Sequence, residues 1–363
     1  MSPRAPLAAA TQFISQLPPL SLGTPLLAYS RARSLGYSIE ARLMYALAGL
    51  LPGAPSPEAA TGLVLESVQK SMKALLEKDV ANIEAGVYPA SVLMPGSPVE
   101  HVKRLPWLVV DGIRAHLKRS KGRTTIFSQK AKEFLEELPR YYRRNFHFQT
   151  DGYLSEKSAE LYDHQVELLF GGTADAMRRL AIPHLKRQLG DRAENRTLKI
   201  LEIGSGTGAA TRFVRLAFPK ARITATDLSG PYLKVAQRKL AAYDRIDYLM
   251  APGEELPFQD ASYDAVFSVF LFHELPLEAR QGVLKEALRV LKPGGALALV
   301  DSIQKSDAPE FDSLVAAFPK DFHEPFYRNY LEHPLRDLFK GAGFSSIEEE
   351  VGFVSLAISG RKA

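Results

Sequence analysis

The sequence predicts an α/β fold: a mostly parallel sheet in the second half of the chain, preceded by a mainly helical first half. Three observations predict it. From Leu198 an apolar run rich in strand formers (Leu198, Ile200, Leu201, Ile203) breaks into glycines at 204, 206 and 208, then reads as helix from Ala209 to Ala217. Beyond it, strand-like and helix-like segments alternate as far as Val300, which requires a parallel sheet covered on both faces. Ahead of it, apolar residues recur at helical spacing, with no strand pattern. Together these describe a Rossmann-like, nucleoside-binding unit behind a helical partner.

Taken in order, residues 1 to about 33 read as irregular, and five prolines (3, 6, 18, 19 and 25) spoil an amphipathic helix there. Leu35 to Leu51 reads as a helix ended by Pro52 and Gly53. Ser56 offers an N-cap with Pro57 in the first turn of a long amphipathic helix through Val87. A further helix holds Val102 to Leu117 and ends strongly basic, and a short one spans Gln129 to Leu138. RYYRRNFHF (Arg140 to Phe148) is the densest aromatic and basic patch of the chain. Ser155 then caps a helix through Phe170, and Thr173 caps another, Ala174 to Leu189, interrupted at Pro183.

In the second half the spacing predicts strands at 198–203, 222–226, 246–250, 263–269 and 296–301, with helices at 209–217, 230–242 and 277–291. The domain organisation read from this is 1–150 as a helical substrate cap or interaction domain and 151–363 as the binding domain, with 151–190 as its lead-in.

A chain of 363 residues, 46% apolar, can bury two cores. It has no cysteine, which excludes disulfides, thiolate metal sites and a cysteine nucleophile. The longest apolar run, Leu43 to Leu51, is too short to span a bilayer, so a soluble, cytoplasmic protein is expected. The absence of acidic residues before Glu40 faintly resembles an organelle transit segment. Up to Arg196 there are 26 basic and 19 acidic residues, and after it 20 and 22. A basic first half suits an anionic small molecule, an acidic protein or a membrane surface; it equally suits ordinary solvated side chains. No helix-turn-helix, RNA-binding sheet or zinc-finger signature accompanies it, so no specific nucleic acid is expected. A homodimer is compatible with everything here.

The glycine turn supplies backbone that can lie against a ligand, and helix amides that favour a negative group. Asp227, 23 residues beyond Gly204 at the tip of the next strand, can accept hydrogen bonds from both hydroxyls of a ribose. Two later segments narrow the class: YDAVFSV (Tyr263 to Val269), and Leu291, Lys292, Pro293, Gly294 and Gly295 turning into the strand Ala296 to Val300. The set E-x-G-x-G-x-G, acid, YDAV strand and VLKPGG turn resembles the class I S-adenosylmethionine (SAM) dependent methyltransferases. Within them it is most similar to the ubiquinone/menaquinone C-methyltransferase-like group, over roughly Leu198 to Arg361. That resemblance implies a seven-stranded sheet, with a helix at Leu335 to Ala342, then strands at 346–350 and 353–359, the last inserted antiparallel.

The resemblance also implies roles. Glu202 faces the cofactor's amino group; Gly204, Ser205, Gly206 and Gly208 pass its sugar and amino acid; Asp227 takes the ribose; Leu228 packs on the adenine. The family's usual acceptor for the adenine amine falls at Pro252, which has no side-chain acceptor, so Gly253 and Glu254 are the expected replacements. Tyr153, Tyr162, Asp163 and Ser268 are further candidates to touch the cofactor.

Methyl transfer from a sulfonium needs positioning and, for some acceptors, a base within hydrogen-bond reach. His273, just beyond the fourth strand, is the leading base candidate, and His323 and Tyr327 in the aromatic insertion before Leu335 are candidates to orient an apolar or planar acceptor. The paired His-Glu dipeptides, 273/274 and 323/324, lack metal-ligand spacing, so no metal is expected. The first reading is therefore a SAM-dependent methyltransferase of a small molecule that is aromatic, quinone-like or lipid-like. A nicotinamide-dependent oxidoreductase on the same glycine loop, and a SAM-binding scaffold gripping a partner through its basic half, are the alternatives.

Overall fold

The computed structural model describes residues 24–48, 62–94, 98–120, 125, 127–136, 138–148, 151–195, 197–322 and 324–363. Five strands run parallel: β1 (Lys199–Ile203), β2 (Arg222–Asp227), β3 (Ile246–Met250), β4 (Tyr263–Val269) and β5 (Leu291–Ser302). β6 (Phe344–Gly352) and β7 (Ser355–Lys362) complete one sheet in the order β3-β2-β1-β4-β5-β7-β6, with β7 antiparallel to both neighbours. The central strands are near-continuous apolar runs because helices cover both faces; six of the seven residues of β4 are buried. Edge strand β6 carries Glu348, Glu349 and Glu350, charges that discourage pairing with another sheet. Chain order reverses between β1 and β4, so a crevice opens at the carboxyl ends of these two strands.

Helices α1 (Pro25–Ala48), α2 (Gly62–Glu84) and α3 (Pro98–Ser120) make up most of the described residues before 151, followed by the short α4 (Gln129–Leu135). α1 begins ten residues earlier than the spacing predicts, because Pro25 sits in its first turn, where the missing N–H costs nothing. The expected cap at Ser56 and Pro57 lies outside the described residues.

Next come α5 (Glu156–Leu169), capped by Ser155 accepting from Ser158 N, and then α6 (Ala174–Arg179) and α7 (Ala181–Leu189). The break between α6 and α7 falls at Leu180, not at Pro183, which is accommodated in the first turn of α7. Thr173 does not cap α6; its hydroxyl donates to Phe170 O at 2.6 Å.

The first half is fastened to this frame. Leu75 and Leu76 of α2 join the apolar cluster that contains Leu201 and Val266 of the sheet. Arg179 grips Asp79 through two bonds of 2.7 and 2.6 Å, with both side chains almost wholly buried. After β1 the remaining helices are α8 (Ala209–Ala217), α9 (Gly230–Lys239), α10 (Leu277–Val290), α11 (Asp312–Phe322), α12 (Tyr327–Glu332) and α13 (Leu335–Ala342). Among the described residues, no helix is long and apolar enough to cross a membrane.

Candidate active site

The crevice is floored by the loop from β1 into α8. Gly204, Gly206 and Gly208 all take positive φ, the left-handed region where a side chain is strained. A Cβ on Gly204 would meet Leu271 at 2.9 Å, and one on Gly208 would meet Leu240 at 2.8 Å, so these two are required for close packing. Gly206 differs: its nearest neighbour would be Tyr232 at 4.0 Å, leaving its backbone open to the cleft. Ser205 Oγ is buried there without a hydrogen-bond partner.

Glu202 and Asp227 flank this loop from the ends of β1 and β2. Glu202 is buried and accepts from Thr211 Oγ1; burial pushes its carboxyl up to about 8, against the Thr211 hydrogen bond, with Asp227 adding to the rise. Asp227 Oδ2 accepts from Gly206 N and Oδ1 from Ser229 N, both at 2.7 Å. Burial pushes Asp227 up to about 6 in spite of those amides. An unfilled backbone face, an unpartnered hydroxyl and two carboxyls that burial pushes up together suit a ligand bearing an ammonium and vicinal hydroxyls, and SAM has both.

The opposite wall is aromatic. Arg140–Tyr142 and Phe146–Phe148 fold as two single turns that bring Tyr141, Tyr142 and Phe146 over the cleft. Tyr153 stacks on Phe146 at 5.5 Å, with Tyr162 edge-on at 5.8 Å. Tyr141 OH donates to Glu254 beside Gly253 and Leu228 on the same lining. Asp163 accepts from Thr207 Oγ1 and from Lys239 Nζ, each at 2.6 Å, tying α5 to the loop and to α9.

Of the candidates read from sequence, Glu202, Gly204, Ser205, Gly206, Asp227, Leu228, Gly253, Glu254, Tyr153, Tyr162 and Asp163 line the cleft. Gly208 and Ser268 stand behind the lining, Ser268 Oγ donating to Ile203 O at 2.6 Å. His273 is buried, its Nδ1 2.6 Å from Asp301 Oδ1, and is also behind the wall; its neighbour Glu274 occupies the lining. Burial alone would lower the His273 imidazole, but Asp301 reverses this and holds it at about 9. Tyr327 is buried with its OH 2.5 Å from Ser302 Oγ, away from the lining. His323 lies outside the described residues.

What the sequence reading missed is a polar cluster that stands behind Glu274 at one end of the cleft. Glu274 Oε1 accepts from Tyr153 OH and lies 3.4 Å from His147 Nε2. The other ring nitrogen, Nδ1, lies 2.9 Å from Glu324 Oε1. Burial opposes a charge on His147, but Glu324 and Glu274 outweigh it and push the imidazole up to about 10. Donor atoms of His147, Glu274 and Glu324 fall within 4.8 Å of one another, as do those of Glu40, His101 and His164. In the first set each imidazole nitrogen faces its own carboxylate, the arrangement of a bridging imidazolium and not of a ring sharing a lone pair with a metal. The signal available beforehand was RYYRRNFHF, whose histidine is the bridge.

Fold and loop thus define a class: an α/β nucleoside-binding protein whose parallel sheet carries an inserted antiparallel strand next to its edge. A methyltransferase-domain family model matches residues 200–295. A demethylmenaquinone methyltransferase of Tropheryma whipplei (strain Twist) is 37% identical over 142 residues, 39% of this chain and 52% of the relative. That of Clavibacter sepedonicus is 32% identical over 178 residues, 44% of this chain and 71% of the relative. Among solved structures, geranyl diphosphate C-methyltransferase from Streptomyces coelicolor A3(2) superposes with TM-score 0.40 at 14% identity, over 58% of this chain and 85% of that one. The chain belongs to the class I SAM-dependent methyltransferases, in the ubiquinone/menaquinone C-methyltransferase-like group. It spans about half the length of the Tropheryma relative.

Proposed function

We propose that the chain transfers the methyl group of SAM to a small-molecule acceptor with an aromatic, quinone-like or lipid-like body. The observation that carries this reading is that Glu274 shares one cleft with Asp227 and the Gly206 backbone, so a carboxyl stands at the end of a nucleoside site. Bound there, SAM would supply an activated carbon that needs only an aligned nucleophile.

The chain's own residues do the rest. Glu202 receives the ammonium, Asp227 the ribose hydroxyls, and Leu228, Gly253 and Glu254 border the adenine. Tyr141, Tyr142 and Phe146 close the cleft against water and stack a planar acceptor. When the new C–C or C–O bond forms and the S–C bond breaks, the acceptor's proton goes to Glu274, which Tyr153 and His147 hold in position. His273 acts through Glu274, its Nε2 lying 3.8 Å from Glu274 Oε1. The roof comes from residues before 150, which supports a capping role for the helical first half.

The test is transfer of labelled methyl from SAM to a panel of demethylated quinones and phenolic lipids. Transfer that falls with Glu274→Gln supports the reading; transfer confined to polar amines, or unchanged in that variant, contradicts it.

A further inference from the structure

A surface helix ordinarily keeps its apolar stripe out of water, and α3 leaves one apolar stripe in it. Two of its polar groups face the protein: His101 Nε2 lies 3.0 Å from Glu40 on α1, and Asp111 accepts from Gln165 on α5 at 2.9 Å. Leu108 is the inward apolar anchor at 3% exposure. Positions 99, 102, 106 and 110 recur at three- and four-residue intervals and fall on one stripe. That stripe points outward: Val99 is 61% exposed, Val102 62% and Val110 37%, and Trp107 beside them is 52% exposed. Leu43, one turn beyond Glu40 on α1, is a further apolar side chain left in the open at 61%.

Basic residues outnumber acidic ones on α3: Lys103, Arg104 and Arg114 stand against Glu100, which Lys103 bonds, and Asp111, which faces α5. From Gly112 to Lys132 the sequence holds seven lysines and arginines and no acidic residue. Lys157 places its Nζ 3.9 Å above the Trp107 ring. Exposed valines on a helix with an excess of basic residues, with a tryptophan at their edge, match the interfacial region of a bilayer, where an apolar face enters the acyl boundary and basic side chains meet anionic headgroups. A nucleic acid would use the cations and leave the valines in water, and a second copy of the same face would set like charges against each other.

We propose that the outer face of α3 docks on an anionic lipid bilayer, with Val99, Val102, Trp107 and Val110 entering the interface and the chain lying on the membrane without spanning it. This stands whatever the acceptor proves to be.

Trp107 is the sole tryptophan of the sequence, so its emission reports on this face alone. The experiment mixes the full chain with vesicles of phosphatidylcholine containing phosphatidylglycerol, and with pure phosphatidylcholine, and follows tryptophan emission, quenching by brominated lipid, and co-sedimentation. The expected result is a blue shift, quenching and sedimentation with the anionic vesicles, weakened on the order of tenfold by raised salt and by the variant Val99→Glu/Val102→Glu/Val110→Glu. The parent alone, read by bromolipid quenching, decides the matter should that variant fail to fold. Emission and sedimentation unchanged by anionic vesicles, a blue shift already present in a vesicle-free dimer, or a shift produced by DNA in place of lipid would each overturn the proposal.

Discussion

Nδ1 of His147 lies 2.9 Å from Oε1 of Glu324, and through that pair the aromatic roof of the cleft is joined to the insertion after β5. Glu324 is buried and neither of its oxygens has a hydrogen-bond partner, so the nearby imidazole is what compensates this carboxylate, as an ion pair.

The pair makes stability depend on pH with a definite sign. His147 is raised in the folded chain from 6.5 to about 10, so its contribution is complete below about pH 6.5 and is lost as pH rises through about 10. Thermal melts of the parent and His147→Gln should differ most near pH 6, by about 3–5 kcal/mol for a buried carboxylate deprived of its partner, and converge towards pH 10. A difference that does not change with pH would show that the imidazole is there uncharged.

Cofactor affinity should rise with pH over the neutral range. Glu202 at about 8 and Asp227 at about 6 hold protons in the free protein that must leave before either can accept hydrogen bonds as a carboxylate. Calorimetry with S-adenosylhomocysteine between pH 6 and 8 is expected to show proton release and a gain of up to about tenfold per pH unit. Glu202→Gln should flatten the upper part of that profile.

Glu274→Gln should lower kcat by about 10²–10⁴-fold while leaving S-adenosylhomocysteine binding within a few-fold, the signature of a group that acts only in the transition state. His273→Ala, one position removed from the lining, should cost less and shift the pH profile of kcat. Equal losses in both variants would return the base role to His273.

Asp79→Asn should destabilise the whole chain. It leaves Arg179 buried against a neutral amide, with one acceptor oxygen in place of two, and that oxygen must still serve Tyr88 OH, which now lies 2.7 Å from Asp79 Oδ1. A loss of about 3–5 kcal/mol is expected, seen as a lowered Tm in one cooperative transition. An unchanged Tm would mean that α2 is not fastened to the core by this pair.

The sheet was legible because both rules that govern it are local: β-branched runs between glycine turns, and alternation with helices. β3 and α8 fall on their expected bounds, and β7 is inserted antiparallel as the resemblance implies. The loop-side residues were legible for the same reason, since Glu202, Gly206 and Asp227 sit within one strand–turn–helix–strand unit. The polar cluster at Glu274 was not, because it is assembled from segments as far apart in sequence as His147, Glu274 and Glu324, and no periodicity records that meeting. His273 illustrates the difference. Sequence brings it to the right strand end, but which of two adjacent side chains faces the cleft is decided by the turn Phe272–Glu274 and by Asp301, 28 residues on.

The most direct measurement is titration of the purified chain with S-adenosylhomocysteine, with NADH as the comparison. The account predicts saturable binding at one site per chain, abolished in Asp227→Ala, and no response to NADH. Absence of binding by the folded parent, or heat protection by NADH alone, would contradict it.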